Sequence, residues 1–536
     1  AAARGRAARP SRARGPSGRF AAFSSGAEAR SETASGLLEL LKQVEGGDDP
    51  GGGIVAGSVL STAGGVVRAA LRGPVAQGQA VSFEAGGLGA VLHYDRRSAV
   101  VAQVTGTAPL VGSAAQSRGA LVVRPPPPVA PGGVAFASVE ELLVAGETAA
   151  PSQALRMPAS PPRPCRRPVT RHLPCGLLAA EILRPIGEGH RIGLVGPRGA
   201  GKSAAARMLL GSQREGTACV YAAQRPLAEL RALLGAAEGA GGAALQVVYS
   251  DPLRDPVGGR YLVPFCAMHV AAHLMASHQH VLVVLDDLVA FAGAAEELRS
   301  PPFRASHAVA AFLDAAGATE RRGQERALSV AAVLDLSPDE ELGGLARELW
   351  HGAEPSLDVS LCFSTKLAAK GILPAIDVDS LLQPGFPPPY HPPLLRLLRG
   401  ELAAALLSSR ELGEKLDLKR QLQLHAEVED EEAICSARVA RSLLAHKQPM
   451  SLPEMVVVAT AALVYHFPLQ RAPPPSAIAS FQEAVTAFIR DEHSAIWRSL
   501  DAADGLGAED AASLLHGLGT VLLRHRGDFS LTRPEF

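Results

Sequence analysis

The sequence predicts three folded parts in order: an N-terminal β-barrel, a central α/β P-loop nucleotide-binding domain, and a C-terminal α-helical bundle. Three observations carry this. Gly196-Pro-Arg-Gly-Ala-Gly-Lys-Ser fits G-x-x-x-x-G-K-[ST] with no departure, with an apolar strand before it and a helical stretch after it. Around it, between about Leu177 and Ile376, nearly continuous apolar runs alternate with helical segments, the pattern of a parallel sheet covered on both faces. Short Gly-punctuated apolar runs precede this region, and helical periodicity follows it.

The chain has 536 residues, enough for about three domains at ~100–200 residues each. With 47% hydrophobic residues, 20% charged residues and a formal net charge of -1, it is not a disordered acidic chain. That balance gives no bulk electrostatic reason to expect a nucleic-acid partner. Ala, Gly, Arg and Pro crowd nearly every segment, so isolated glycine matches carry little information. The six cysteines form no C-x-x-C pair, which fits a reducing compartment and no metal spacing. No apolar run reaches the ~18 residues of a membrane span. The run from Met455 to Phe467 suits a buried helix instead.

The elements are expected as follows. Residues 1–27 hold six arginines (Arg4, Arg6, Arg9, Arg12, Arg14, Arg19) and no acid, the composition of a mitochondrial transit segment or of a basic tail. Residues 28–53 contain a short amphipathic helix, Ser35 to Val44. Residues 54–124 form the barrel: Gly57-Ser-Val-Leu, Gly65-Val-Val-Arg-Ala-Ala-Leu, Ala80-Val-Ser-Phe and Gly89-Ala-Val-Leu-His-Tyr are strand-length runs with turn signals between them. Pro125 to Pro128 form a stiff extended linker. The P-loop domain occupies 125–385. Its strands are Arg191-Ile-Gly-Leu-Val, Ala218-Cys-Val-Tyr-Ala-Ala, Leu245-Gln-Val-Val-Tyr, Val281-Leu-Val-Val-Leu and Ser329-Val-Ala-Ala-Val-Leu. Residues 386–536 form the helical bundle, after the proline cluster at Pro387 to Pro393.

The candidate nucleotide site is the loop Gly196, Pro197, Arg198, Gly199, Ala200, Gly201, Lys202 and Ser203. Backbone N–H groups of such a loop surround phosphates, and the following helix N-terminus adds its dipole. Lys202 would pair with the β- and γ-phosphates and Ser203 would hold Mg²⁺. Val281-Leu-Val-Val-Leu-Asp286-Asp287 is an apolar strand ending in acids, and Asp286 is the expected metal partner, reached through water. Asp287 is the candidate cap of the next helix. Hydrolysis also requires a carboxylate to orient water. The strand end that would present it carries Gln224, an amide that can orient water but cannot act as a base, with Glu229 a turn further along.

This order of parts resembles the α subunit of the F-type ATP synthase, over roughly Thr33 to Arg526. The segments that carry the resemblance begin with Gly57-Ser-Val-Leu-Ser-Thr-Ala-Gly-Gly-Val-Val-Arg-Ala-Ala-Leu-Arg-Gly and Gly78-Gln-Ala-Val-Ser-Phe in the barrel. Pro185-Ile-Gly-Glu-Gly-His-Arg-Ile-Gly-Leu-Val-Gly leads into the loop, where Arg198 matches the basic residue of the α type. Gln224-Arg225 resembles the α-type strand end, where the catalytic β subunit has Glu, and Leu285-Asp-Asp-Leu resembles the α-type acid pair. Lys370-Gly-Ile-Leu-Pro-Ala-Ile-Asp-Val resembles the family's strand toward the subunit interface, and Lys447-Gln-Pro-Met-Ser-Leu-Pro-Glu-Met the approach to a late bundle helix.

The resemblance implies a RecA-like nucleotide domain that binds ATP or ADP with Mg²⁺. It implies Pro374 against the adenine and, counting back from Pro453, Gln423 near the base. It implies catalytic β subunits as partners in a hetero-hexameric ring, with central and peripheral stalk subunits, no nucleic acid, and a peripheral position on the matrix side of the inner mitochondrial membrane. The sequence departs from the family in three respects, one of them a shortened segment between the loop and Asp286. The position of the family's arginine finger holds Pro384, with Arg396 the next arginine, and Leu373 replaces an arginine. Such a finger is worth ~10³–10⁵ in rate. Three readings stay open: a non-catalytic structural and regulatory subunit, supported by Gln224; a diverged paralogue serving in assembly or interaction, supported by Pro384; and a self-sufficient P-loop ATPase, which would need a carboxylate that the strand end does not supply.

Overall fold

The computed structural model describes residues 55–529 except 74, 96–97, 147–154, 156–166, 236–241, 299–304, 322–323, 337–339, 383–386, 422–433, 435–436, 438, 447, 466–473, 504–505, 526 and 528. The basic segment 1–27, the helix expected at Ser35 to Val44, Pro384 and Gln423 lie outside the described residues.

The first strands are β1 (Val55–Ala63), β2 (Val66–Leu71), β3 (Gln79–Phe83), β4 (Leu88–Asp95), β5 (Ser98–Gln103) and β6 (Ala114–Val123). They pair antiparallel in the order β1-β2-β5-β4-β3-β6, and β6 pairs back onto β1, so the sheet closes into a barrel. Closure leaves no free edge among these six strands. Val59, Val67, Leu71, Val81, Phe83, Val91 and Val101 fill its interior. The small barrel brings backbones close together: a Cβ at Gly57 would lie 1.9 Å from the carbonyl oxygen of Ala70, so only glycine fits there.

The chain then enters the second sheet with β7 (Val134–Ser138) and returns to pair β8 (Leu143–Gly146) with β6. The second sheet continues with β9 (Arg191–Gly196), β10 (Thr217–Ala223), β11 (Ala244–Tyr249), β12 (His280–Asp286), β13 (Gly317–Arg321), β14 (Gln324–Asp335) and β15 (Val359–Cys362). Its order is β15-β9-β14-β12-β10-β11-β7, parallel throughout, with β13 added antiparallel on β14. The five strands expected from apolar runs all form. The additional ones have weaker signals: β7 is a short strand among prolines, and β13 (Gly-Ala-Thr-Glu-Arg) is polar. The segment 370–377, expected as a strand, is irregular apart from a bridge of Ile376 to Phe363.

Both faces of the parallel sheet are buried, which is why its strands read as unbroken apolar runs. Leu282 and Val284 face one core, which continues into the C-terminal helices, while Val281, Val283 and Leu285 face the other. The first core takes in α1 (Leu178–Leu183) and α2 (Lys202–Gly211), the helix that follows the loop. Next in sequence come α3 (Leu227–Leu234), α4 (Val257–Leu274) and α5 (Leu288–Glu297), of which α4 and α5 cover the other face. The C-terminal part contains α6 (Pro393–Gln421), α7 (Leu452–Val464), α8 (Pro475–Glu492), α9 (Ser494–Asp501) and α10 (Ala508–Arg524). Met455 to Ala462 of α7 are all buried, as the apolar run predicts. No helix among the described residues is long and apolar enough to cross a membrane.

Register is what positions the site. Ala223 stands opposite Asp286, and Asp335 opposite Gly196, so β9, β10, β12 and β14 end at the same edge of the sheet. In a parallel sheet that carboxyl edge is where ligands are taken.

Candidate nucleotide-binding site

The loop between β9 and α2 folds on itself for a local reason. Gly199 and Gly201 take φ of 76° and 92°, a backbone region that other residues rarely occupy. A Cβ at Gly201 would also approach Pro374 Cα to 3.0 Å. Pro374 is buried against the loop, and the next residue, Ala375, donates its N–H to the Ala200 carbonyl at 3.1 Å. The segment that follows β15 therefore braces the loop from outside.

Lys202 is 8% exposed, and its Nζ donates to the carbonyls of Gly196 at 2.6 Å and Pro197 at 2.7 Å. Burial lowers its pKa, opposed by Asp335, Asp287 and Asp286. Arg198 Nε donates to Asp335 Oδ2 at 2.6 Å, while Lys202 Nζ lies 3.6 Å from Asp335 Oδ1. Asp335 closes β14, only 7% exposed. Sequence reasoning missed it by ending that strand at Leu334. The available signal was the one that revealed Asp286: an apolar run terminated by an acid.

Ser203 Oγ donates to Asp286 Oδ2 at 3.4 Å. The Tyr221 hydroxyl donates to the same oxygen, and Arg225 donates to both Ser203 Oγ and Asp286 Oδ2 at 3.4 Å. Burial raises the Tyr221 pKa well above its ordinary value, with Asp286 adding to it, so the phenol stays protonated and can donate. A hydroxyl and a carboxylate this close are hard oxygen donors of the kind that Mg²⁺ takes alongside phosphates and waters. No group of three or more His, Cys, Asp or Glu among the described residues could hold a metal by itself. Asp287 accepts from the Val289 N–H at 2.9 Å and caps α5. Burial raises its pKa to about 6.

The other expected residues divide. Gln224 is one residue beyond β10, and its Nε2 donates to the Arg260 carbonyl in α4 at 3.1 Å. Glu229 is exposed on α3. Arg396 donates to the carbonyls of Pro389 at 2.8 Å and His391 at 2.9 Å. Those three residues line a cavity of about 850 Å³ with Thr217 and His280, the first residues of β10 and β12. Arg396 therefore sits at the edge of the sheet opposite the loop. Leu373 is 37% exposed beside the loop.

A glycine-rich loop with its lysine and serine, an acid-terminated neighbouring strand and a parallel sheet define a P-loop nucleotide-binding domain, here joined to a β-barrel and a set of C-terminal helices. Residues 176–381 match the ATP synthase alpha/beta family, nucleotide-binding domain. The chain is 27% identical over 392 residues to ATP synthase subunit alpha 2 of Nitrosospira multiformis, covering 66% of this chain and 74% of that one. It is 33% identical over 235 residues to ATP synthase subunit alpha 2 of Polaromonas naphthalenivorans, covering 42% of this chain and 45% of that one. The resemblance to an F-type ATP synthase α subunit, in architecture and in its nucleotide-binding domain, is thus borne out. The expected mitochondrial localisation is not. These relatives are bacterial, which points to a bacterial origin and overturns the placement on the matrix side of the inner mitochondrial membrane.

Proposed function

We propose that this chain is a non-catalytic, α-type subunit that holds ATP or ADP with Mg²⁺ and alternates with catalytic β subunits in a hetero-hexameric ring, in contact with central and peripheral stalk subunits. In this reading the loop 196–203 takes the phosphates, Ser203 and Asp286 the metal, and Gln224, Pro374 and Gln423 the remainder of the nucleotide. Residues 54–124, 125–385 and 386–536 act as barrel, nucleotide and bundle domains. One observation carries it: the holding groups Lys202, Ser203 and Asp286 are brought together at one sheet edge, while the strand end that would activate water offers an amide bonded to Arg260.

The test is direct. The purified chain should bind ATP with Mg²⁺ and hydrolyse it no faster than background, and Lys202→Ala should abolish binding. Undiminished binding by that variant would sink the loop assignment, and rapid hydrolysis by the isolated chain would sink the non-catalytic role.

A second reading, a diverged paralogue acting in assembly or interaction, is supported by Arg396, whose guanidinium is held by carbonyls of its own chain. Purification of the native complex separates the two. Three copies with β support the working subunit. A different α chain in those places supports the paralogue.

A further inference from the structure

We infer that Arg225 is a built-in counter-cation for the phosphate site, standing on the two oxygens that would receive Mg²⁺ and making nucleotide binding by this chain largely independent of the metal. The inference rests on the reading of loop 196–203 as a phosphate site. It goes further by assigning a role to a residue that the motif does not include.

The geometry is convergent. The terminal nitrogen of Arg225 lies 3.4 Å from Ser203 Oγ and 3.4 Å from Asp286 Oδ2. Those two oxygens are themselves 3.4 Å apart. Asp286 Oδ2 thus accepts from three donors: the Tyr221 hydroxyl, the Ser203 hydroxyl and the Arg225 guanidinium. A small octahedral cation needs such oxygens, or waters bonded to them, turned toward it at close range. Arg225 and the metal therefore compete for one seat.

Two properties suit Arg225 to this place. Its guanidinium is a permanent cation with several donors in a plane, matched to phosphate as well as to carboxylate. It is also anchored at one end only. Asp286 is 1% exposed in its side chain and Arg225 36%, so the acid is fixed while the arginine has solvent to withdraw into. With the metal absent, Arg225 leaves a positive charge at the mouth of the loop for the phosphates. With the metal present, Arg225 must release Ser203 and Asp286.

The experiment compares ATP affinity of the full chain in excess Mg²⁺ and in EDTA, by calorimetry, for the wild type, Arg225→Ala, Arg225→Lys and Lys202→Ala. The wild type should lose less than about threefold on removal of Mg²⁺. Arg225→Ala should lose about tenfold or more, the weight of one charge-assisted contact. Arg225→Lys, which keeps the charge, should stay close to the wild type. Mn²⁺ titrations followed by electron paramagnetic resonance in the presence of ATP should show tighter metal binding in Arg225→Ala than in the wild type. Strict Mg²⁺ dependence in the wild type, or the same EDTA effect in wild type and Arg225→Ala, overturns the inference while leaving the loop assignment intact. Full binding by Lys202→Ala overturns the loop assignment, and this inference with it.

Discussion

At the ends of β9, β12 and β14, side chains from segments far apart in sequence interlock. Arg198 and Lys202 meet Asp335, and Ser203 meets Asp286. At the end of β10, the adjoining strand, Gln224 donates to the Arg260 carbonyl. On the loop side Lys202, Asp286 and Asp335 are buried, whereas the β10 side, apart from the Arg225 cation on Asp286, offers a neutral amide and an exposed Glu229 a turn later. Pre-organised charge aimed at phosphate favours binding. A rate requires a group placed on the attacking water as well. The proposed role, holding a nucleotide without cleaving it, rests on this contrast between the two sides.

The strongest way to break this contrast is at Lys202. Lys202→Ala removes the buried ammonium, leaving the Asp335 and Asp286 carboxylates facing any phosphate. Nucleotide affinity should fall by about 100-fold or more, which abolishes binding at working concentrations, as when one partner of a buried charge pair is deleted. Equilibrium binding of a fluorescent ATP analogue measures this. Retained affinity would show that the charge cluster serves only to pack the loop.

A smaller loss is expected at Gly201. Gly201→Ala forces a Cβ onto a residue at φ of 92°, 3.0 Å from Pro374 Cα. Strain of ~1–3 kcal/mol per such residue implies roughly tenfold weaker binding, with a lower thermal midpoint. If binding falls and the midpoint does not, the loop opens without disturbing the fold. If neither changes, the brace from Pro374 is not tight.

These two positions also show which parts of the site were legible in the sequence. The loop could be read because all its groups lie within eight consecutive residues and backbone geometry alone brings them together. Asp286 could be read because an unbroken apolar strand ends on it. Asp335 has the same signature, but its partners Arg198 and Lys202 lie over 130 residues away, and only the pairing of β14 with β9 reveals them. The identity of Gln224 could be read, yet its direction could not, because the Arg260 carbonyl that holds it comes from a separate helix. At the level of fold, strands buried on both faces announced themselves. The short β7 and polar β13 did not, because their neighbours in the sheet supply the stability that their own residues lack.

Asp335 allows a test in the opposite direction. It competes with an incoming phosphate for Lys202 and Arg198, with Arg198 on its Oδ2 at 2.6 Å. Asp335→Asn keeps an oxygen for Arg198 and removes the negative charge. Nucleotide affinity should rise by about threefold to tenfold, the scale of one partly screened charge interaction. A fall in affinity would mean that Asp335 positions Lys202 rather than competing for it.

The smallest expected effect is the most instructive, because it concerns the side of the site that presents an amide. Gln224→Glu restores, on paper, a carboxylate at the end of β10. The structure argues that this is not enough. The Gln224 amide donates to the Arg260 carbonyl, and a carboxylate in the same place can only accept, so it faces another acceptor. The terminal nitrogens of the Arg260 guanidinium are in turn engaged by Glu297, at 2.8 Å for the shorter contact. The substitution should therefore cost about 1 kcal/mol of stability for the lost hydrogen bond and leave hydrolysis at background. A denaturant melt and a phosphate-release assay with Mg-ATP check the two parts. Hydrolysis clearly above the wild type would mean that the carboxylate swings toward the phosphates once freed from Arg260. The difference between the two sides would then reside in one atom of one side chain rather than in the way β10 and α4 are packed.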